Sequence, residues 1–374
     1  MKVLLYSYFF YPSLGGIETV SMSLAAGFVQ KNIQCKVVTT TAGTKIDEFT
    51  FEVIRKPNRK RQIELVKWAD IILFNGAGLA LQPWVLLYRK PFVWVHQSYL
   101  VSCIDGLGWV DGVKAPLHPF PSIKYHIQRK GWVWGITQGL KLLIKRFVAL
   151  NLVNKNVAIT KWVKTIQPLP RQILIYNPFP IDKFISTDLV KPEYDFLFLG
   201  RIVSEKGVST LLQALSKVIN SYWRTVNLLI IGDGNWKEKM ENLAGRLQIT
   251  QNITFVGKKS GRNLTRWVAK GKIAIVPSEW YEPMGGVALE LMAAGKNLII
   301  SEYGGLKECV GNAALTFPNG DDKALAACMI RLLEDEQLCK KQKLEGQERI
   351  RFFHPSLFIE QYIDMLKELV VNSR

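Results

Sequence analysis

Residues 277–290 read Pro-Ser-Glu-Trp-Tyr-Glu-Pro-Met-Gly-Gly-Val-Ala-Leu-Glu and set two carboxylates, Glu282 and Glu290, eight positions apart. The first falls in a loop after an apolar strand, the second about one turn into the helix that follows. Gly285 and Gly286 stand at the start of that helix, where open N–H groups and the helix dipole attract phosphate. A carboxylate inside the helix is placed to hold ribose hydroxyls, and one in the loop can accept from sugar hydroxyls. A second stretch pairs Gly200-Arg201 with Lys206-Gly207. It puts a guanidinium fork and an ammonium at a strand end ahead of a helix, which makes a clamp for a diphosphate. Gly232-Asp233-Gly234 closes another strand with a turn that permits close backbone approach. Gly15-Gly16 ends the loop before the first helix, and His96 ends a short apolar strand.

The elements that must position these residues alternate along the chain. Apolar runs predict strands over 3–8, 34–40, 51–54, 70–74 and 91–96. Val20, Leu24 and Phe28 mark one face of a helix over 17–31. A proline-bearing connection over 177–191 follows, and then the alternation restarts. Strands are expected over 194–199, 226–231, 253–256, 273–276, 297–301 and 313–317. Helices are expected over 207–220, 236–247, through Trp267, and over 286–295, 321–334, 336–352 and 356–370. Strand–helix alternation of this kind predicts an α/β protein with parallel, doubly wound sheets. The 374 residues suit two domains, expected at 1–178 and 179–355, with a last helix over 356–374. Doubly wound sheets bind ligands beyond the carboxyl ends of their strands, where the motifs above fall.

Taken in order, Gly15-Gly16, Gly200-Arg201, Lys206-Gly207, Gly232-Asp233-Gly234 and Glu282-x7-Glu290 resemble the retaining glycosyltransferases of family 4, across essentially the whole chain. The resemblance implies the GT-B fold: two Rossmann-like domains facing a deep cleft, the first binding the acceptor and the second a UDP- or GDP-sugar. It implies a hexosyltransferase-type activity with retained configuration. By the same resemblance Gly16 lies against the donor diphosphate, Arg201 and Lys206 neutralise it as it leaves, Glu282 holds donor-sugar hydroxyls and Glu290 binds the ribose. Gly15, Gly200, Gly232, Gly234, Met284, Gly285 and Gly286 complete the donor site, and His96 resembles the family's active-site histidine. The last helix would cross back onto the first domain. Met284 stands where the family usually has an aromatic, and Glu290-Leu291-Met292 where it usually has Glu-Ala-Met; both look like packing variations. For retention, same-face attack with the leaving phosphate deprotonating the acceptor is the preferred route, since no carboxylate nucleophile stands out. Neither an Asp-x-Asp nor a metal-spaced His/Cys cluster occurs. No metal or other cofactor is therefore expected, and Arg201, Lys206 and the helix start supply the counter-charge.

Hydrophobic residues make up 48% of the chain and charged residues 21%, which excludes a wholly disordered protein. No run approaches the ~18–20 apolar residues of a membrane span, and the first residues read as a strand rather than a signal peptide. Five scattered cysteines without a Cys-x-x-Cys pair suit a reduced, cytoplasmic compartment. The net charge of +18 is concentrated: residues 1–180 hold 23 Lys and Arg against eight acids, and 112–181 hold eleven against none. Such a one-sided field faces a polyanion, either nucleic acid or an anionic membrane. Trp109, Trp132, Trp134 and Trp162 are interleaved with these cations, and 123–150 predicts one or two basic amphipathic helices of the kind that lie in a bilayer interface. Lys124, Arg129, Lys130, Trp132, Trp134 and Lys141 are expected to meet the membrane. No nucleic-acid module is present, so no nucleic-acid partner is expected. The expectation is a peripheral protein on the inner face of the plasma membrane with a lipid or lipid-linked glycan acceptor, as in envelope polysaccharide, lipopolysaccharide or glycolipid synthesis. The competing readings are a basic nucleic-acid-binding protein, a GT-B enzyme with a soluble acceptor, and a sugar-nucleotide epimerase, which would need cleft carboxylates that are not seen.

Overall fold

A computed structural model describes residues 1–13, 15–43, 49–185 and 191–372. Leu14 of the first glycine-ended loop and residues 186–190 of the expected connection lie outside the described residues. The chain divides into two compact units. One holds residues 1–110, 115–180 and 354–374, the other 111–114 and 181–353.

The first unit runs β1 (Lys2–Ser7), α1 (Gly16–Gln30), β2 (Gln34–Thr39), β3 (Glu52–Arg55), α2 (Arg59–Trp68), β4 (Ile71–Asn75), α3 (Gln82–Leu87), β5 (Phe92–His96) and β6 (Trp109–Val110). After β7 (Val113–Lys114), which belongs to the second unit, it continues with α4 (Pro119–Lys130), α5 (Trp132–Asn151), β8 (Lys155–Ala158), α6 (Lys161–Ile166) and β9 (Gln172–Leu174). Seven parallel strands lie in the order β3-β2-β1-β4-β5-β8-β9, with Val3 opposite both Cys35 and Ile71. β-Branched and aromatic runs form these strands because helices cover both faces and bury them; Leu4, Tyr6, Phe74 and Trp94 pack in one such core with Leu65, Val85 and Val148.

The basic segment resolves into two helices. Gly131, at φ +86°, breaks it. A Cβ on Gly135 of α5 would lie 2.4 Å from Ile127 Cγ1 of α4, so the bare backbone lets these helices pack closely. Strands β8 and β9 were not expected. They are four and three residues long, and β8 turns Asn156 fully inward, so no apolar run announces them.

The second unit runs β10 (Tyr194–Leu199), α7 (Val208–Ser221), β11 (Leu228–Ile231), α8 (Lys237–Arg246), β12 (Ile253–Phe255), α9 (Gly261–Ala269), β13 (Gly271–Val276), α10 (Gly286–Ala293), β14 (Asn297–Ser301), α11 (Leu306–Val310), β15 (Ala314–Phe317), α12 (Asp322–Glu334) and α13 (Glu336–Phe352). Its six parallel strands lie in the order β12-β11-β10-β13-β14-β15. Both sheets thus start in the interior and wind outward in two directions. The strand order reverses at β1/β4 and at β10/β13, the positions where open α/β sheets bind ligands.

The boundary between units falls at 180/181, two residues beyond the expected one: Phe179 lies beside Gly16 of α1, while the turn Ile181–Phe184 packs on α10. The chain ends with α14 (Pro355–Asn372), which belongs to the first unit. It lies on α1: Ile359 covers Gly27, where a Cβ would come within 2.6 Å, and Glu360 pairs with Lys31 at 2.7 Å.

Candidate active site

In the second unit the motifs gather at strand ends. β10 runs into Gly200-Arg201 and then a 3-10 turn, Ser204–Lys206, ahead of α7; β13 runs into the loop that starts α10. The two loops are laced together. The Glu279 N–H donates to the Glu205 carbonyl at 3.0 Å, and Lys206 Nζ donates to Glu282 Oε1 at 2.7 Å. The buried Ser278 hydroxyl donates to the same oxygen, and the ammonium lies 5.6 Å from the centre of the Trp280 ring. Glu282 is only 4% exposed, and the Gly305 N–H holds its carbonyl at 2.6 Å. Each charge is therefore compensated inside the protein. What remains for a ligand is Oε2 of Glu282 and the other protons of Lys206.

Arg201 is different: it is exposed and sits 3.5 Å from Glu205 Oε1. Glu290 projects from α10 and is half-buried. Burial raises its carboxyl to about 7, an effect that Lys183 opposes. No side chain caps α10, but one of its expected phosphate donors is engaged, since the Gly285 N–H donates to Cys309 Sγ at 3.3 Å. Gly286 is the first helical residue, and Met284 is buried beside it. Among the described residues no group of three His, Cys, Asp or Glu side chains is placed to hold a metal ion.

Gly232 and Gly234 permit close backbone approach, as expected, and the backbone that approaches them here is the protein's own. A Cβ on Gly232 would lie 1.8 Å from the Gly200 carbonyl oxygen, and one on Gly234 2.2 Å from that of Ile202. Gly200 and Gly232 are thus where two strand-end loops stack.

In the first unit Gly15 and Gly16 are exposed at the start of α1. Glu18 folds back over the turn, its Oε1 accepting from the Ser13 hydroxyl at 2.7 Å, so a Cβ on Gly15 would meet Glu18 Oε2 at 2.7 Å. His96 ends β5, as expected. It is 1% exposed, and both ring nitrogens are engaged, Nε2 with Asn156 Oδ1 and Nδ1 with Gln167 Nε2, each at 2.9 Å. Asn156 spends its amide protons on the Ala149 and Pro170 carbonyls, so its Oδ1 accepts and His96 carries the proton on Nε2. Burial pushes the imidazole down to about 4 against the Asn156 bond. It is a neutral side chain held in one orientation from both ring nitrogens.

Residues 182–349 match the family of glycosyl transferases group 1. The match spans nearly all of the second unit and takes in Arg201, Lys206, Glu282 and Glu290. Two curated proteins are similar. One is the lipopolysaccharide core biosynthesis glycosyltransferase LpsD of Rhizobium meliloti, 30% identical over 191 residues, 50% of this chain and 53% of that protein. The other is the phosphatidyl-myo-inositol mannosyltransferase of Mycobacterium leprae, 30% identical over 179 residues, 47% of each. The chain spans about half the length of the curated relatives it matches. The solved structure of Anabaena HepE in complex with UDP is 17% identical, with a TM-score of 0.77 over 98% of this chain and 100% of that one. That likeness shows the fold, which is GT-B with two Rossmann-like α/β domains.

Beside the group 1 match, four contributors carried no signal that was read: Glu205, Ser278, Glu18 and Lys183. Glu18, an acid in the first turn of a helix, could have been found from capping chemistry. Lys183 could not, since nothing local ties it to Glu290. Of the expected membrane residues, Lys124, Arg129, Lys130 and Lys141 are exposed, and Trp132 is 72% exposed. Trp134 is 37% exposed and also stacks on His126 at 5.8 Å, with Lys130 over its ring. No helix among the described residues is long and apolar enough to cross a membrane.

Proposed function

We propose that this protein is a metal-independent, retaining glycosyltransferase of family 4 that moves a hexose from a UDP- or GDP-sugar to a lipid or lipid-linked glycan on an anionic membrane surface. The observation that carries the reading is the contact, at 2.7 Å, of Lys206 in the turn ahead of α7 with Glu282 in the loop leading to the uncapped start of α10. As the bond from the anomeric carbon to the diphosphate oxygen breaks, negative charge grows on the leaving group, and Lys206 with Arg201 supplies fixed positive charge there. Glu282, with Oε1 held by Lys206 and Ser278, offers Oε2 to the sugar hydroxyls. Glu290 takes the ribose. The acceptor oxygen bonds to the anomeric carbon from the same face, and its proton passes to the departing phosphate oxygen. His96 is held neutral between Asn156 and Gln167. The lipopolysaccharide core biosynthesis named for LpsD and the phosphatidyl-myo-inositol named for the mannosyltransferase support a lipid-borne acceptor, as does the acid-free stretch 112–181; the reading is of cell-envelope polysaccharide, lipopolysaccharide or glycolipid synthesis at the inner face of the plasma membrane.

Calorimetry against UDP-, GDP- and ADP-glucose tests the donor reading, with binding of one of the first two expected and binding of none overturning it. Slow hydrolysis of the bound donor then reports the chemistry. Excess EDTA leaves that rate unchanged, whereas a rate that collapses in EDTA and returns with magnesium or manganese refutes the cationic mechanism. Lys206→Ala costs about 3 kcal/mol of transition-state stabilisation, as for one lost preorganised donor.

A further inference from the structure

Six large apolar side chains of α5 face solvent along one stripe: Trp132, Val133, Ile136, Leu140, Ile144 and Phe147, between 45% and 81% exposed. They recur every three to four residues, the spacing of a single helix face. The opposite face, with Gly135, Gly139, Leu142 and Ala149, is already buried. Among the described residues the stripe therefore has no partner, and continuous exposed apolar surface marks an interaction site.

We infer that this stripe of α5 is a surface that lies flat in the interface of an anionic bilayer, apolar side down, with the lysines beside it reaching lipid phosphates. Charge selects that occupant. Lys124, Arg129, Lys130, Lys141 and Lys145 belong to α4 and α5, and neither helix contains an acid. A second copy of the same face would bring these cations against each other, whereas a leaflet of anionic lipid complements them. A helix of 20 residues spans about 30 Å, enough to lie along the interface, and it is not apolar enough to cross it. The inference deepens the reading of a membrane-borne acceptor and rests on it for its purpose: the docked face would hold the first unit where a lipid-linked acceptor is found. It also alters the expected contact, since the deepest contributions come from Val133, Ile136, Leu140, Ile144 and Phe147 rather than from the cations and Trp134.

The test is flotation of the full chain with phosphatidylcholine vesicles containing 30% phosphatidylglycerol, at about 0.1 M and 0.5 M salt, between which screening shortens from ~10 Å to a few ångströms. Wild type binds at low salt and keeps part of that binding at high salt. The triple variant Ile136→Ser, Leu140→Ser, Ile144→Ser loses at least tenfold at both salts, while Lys124→Ala, Lys130→Ala, Lys141→Ala loses mainly the low-salt component. All six sites are exposed, and an unchanged thermal transition excludes misfolding. The inference is overturned if the triple serine variant floats as wild type does, or if wild type ignores the vesicles. It is equally overturned if wild type is a dimer that the serines dissociate while vesicle binding stays the same. Sugar-nucleotide affinity, measured on the same samples, is expected to be unchanged; its presence without flotation rejects the docking surface alone, and its absence rejects the transferase reading instead.

Discussion

Glu282 and Glu290 differ in what holds them, and their variants should differ accordingly. Glu282 is tied to Lys206 and Ser278, so Glu282→Ala removes a sugar contact and frees Lys206 to bind phosphate. Affinity for the bare nucleoside diphosphate then stays near that of wild type while turnover is nearly lost. Glu290→Ala weakens the diphosphate itself, because the free nucleotide already makes the ribose contact. Equal loss of affinity in both variants, by calorimetry, contradicts these roles. The elevated Glu290 carboxyl adds a pH dependence. Its acidic form is favoured in the fold, from an ordinary 4.5 to about 7, so its contribution to stability is complete below 4.5 and lost as pH rises to 7. That difference amounts to roughly 3 kcal/mol. Glu290→Gln should therefore resist denaturant better than wild type at pH 8 and equally at pH 4.5. Ribose hydroxyls donate to the carboxylate form, so binding of an intact sugar nucleotide should strengthen between pH 6 and 8 in wild type and stay flat in the Gln variant. A flat wild-type profile rejects the ribose contact.

At the scale of elements, the strand-end loops of the second unit are held by each other. Gly232 lies against the Gly200 carbonyl, Gly207 against that of Pro277, and the Glu279 N–H against that of Glu205. Gly232→Ala must push two loops apart, which should destabilise the second unit by about 2–3 kcal/mol, as overpacked sites do. Denaturant unfolding measures this. A variant of full stability that has lost only nucleotide affinity shows instead that the glycine makes room for ligand. Much of this layer was legible beforehand. The strands of both sheets begin within a residue or two of the apolar runs, because buried parallel strands are apolar on both faces. Strands β8 and β9 were not legible, since three or four residues of mixed polarity become a strand only when an edge is offered, that of β5 to β8 and that of β8 to β9.

At the scale of the whole molecule, chain order and packing order part company. α14 is last in sequence yet packs on α1, burying Phe358, Tyr362 and Leu366. Ending the chain at 353 should therefore uncover the first unit and leave the second intact. Hydrogen exchange checks this: protection falls in α1 and β4 but persists in β10, β11 and β13, and a uniform loss in both units contradicts it. What the sequence determined by itself was local: the alternation of elements, the two doubly wound units and the ordered motifs at strand ends, all written within short windows of residue type and spacing. What only the tertiary structure decided was which partner each charged or apolar group meets: Lys206 with Glu282, Glu18 over Gly15, His96 between Asn156 and Gln167. The α5 helix shows the reason. Its apolar stripe would read the same in sequence whether it was buried or bare, because burial is set by distant segments that pack against a face, and among the described residues none does.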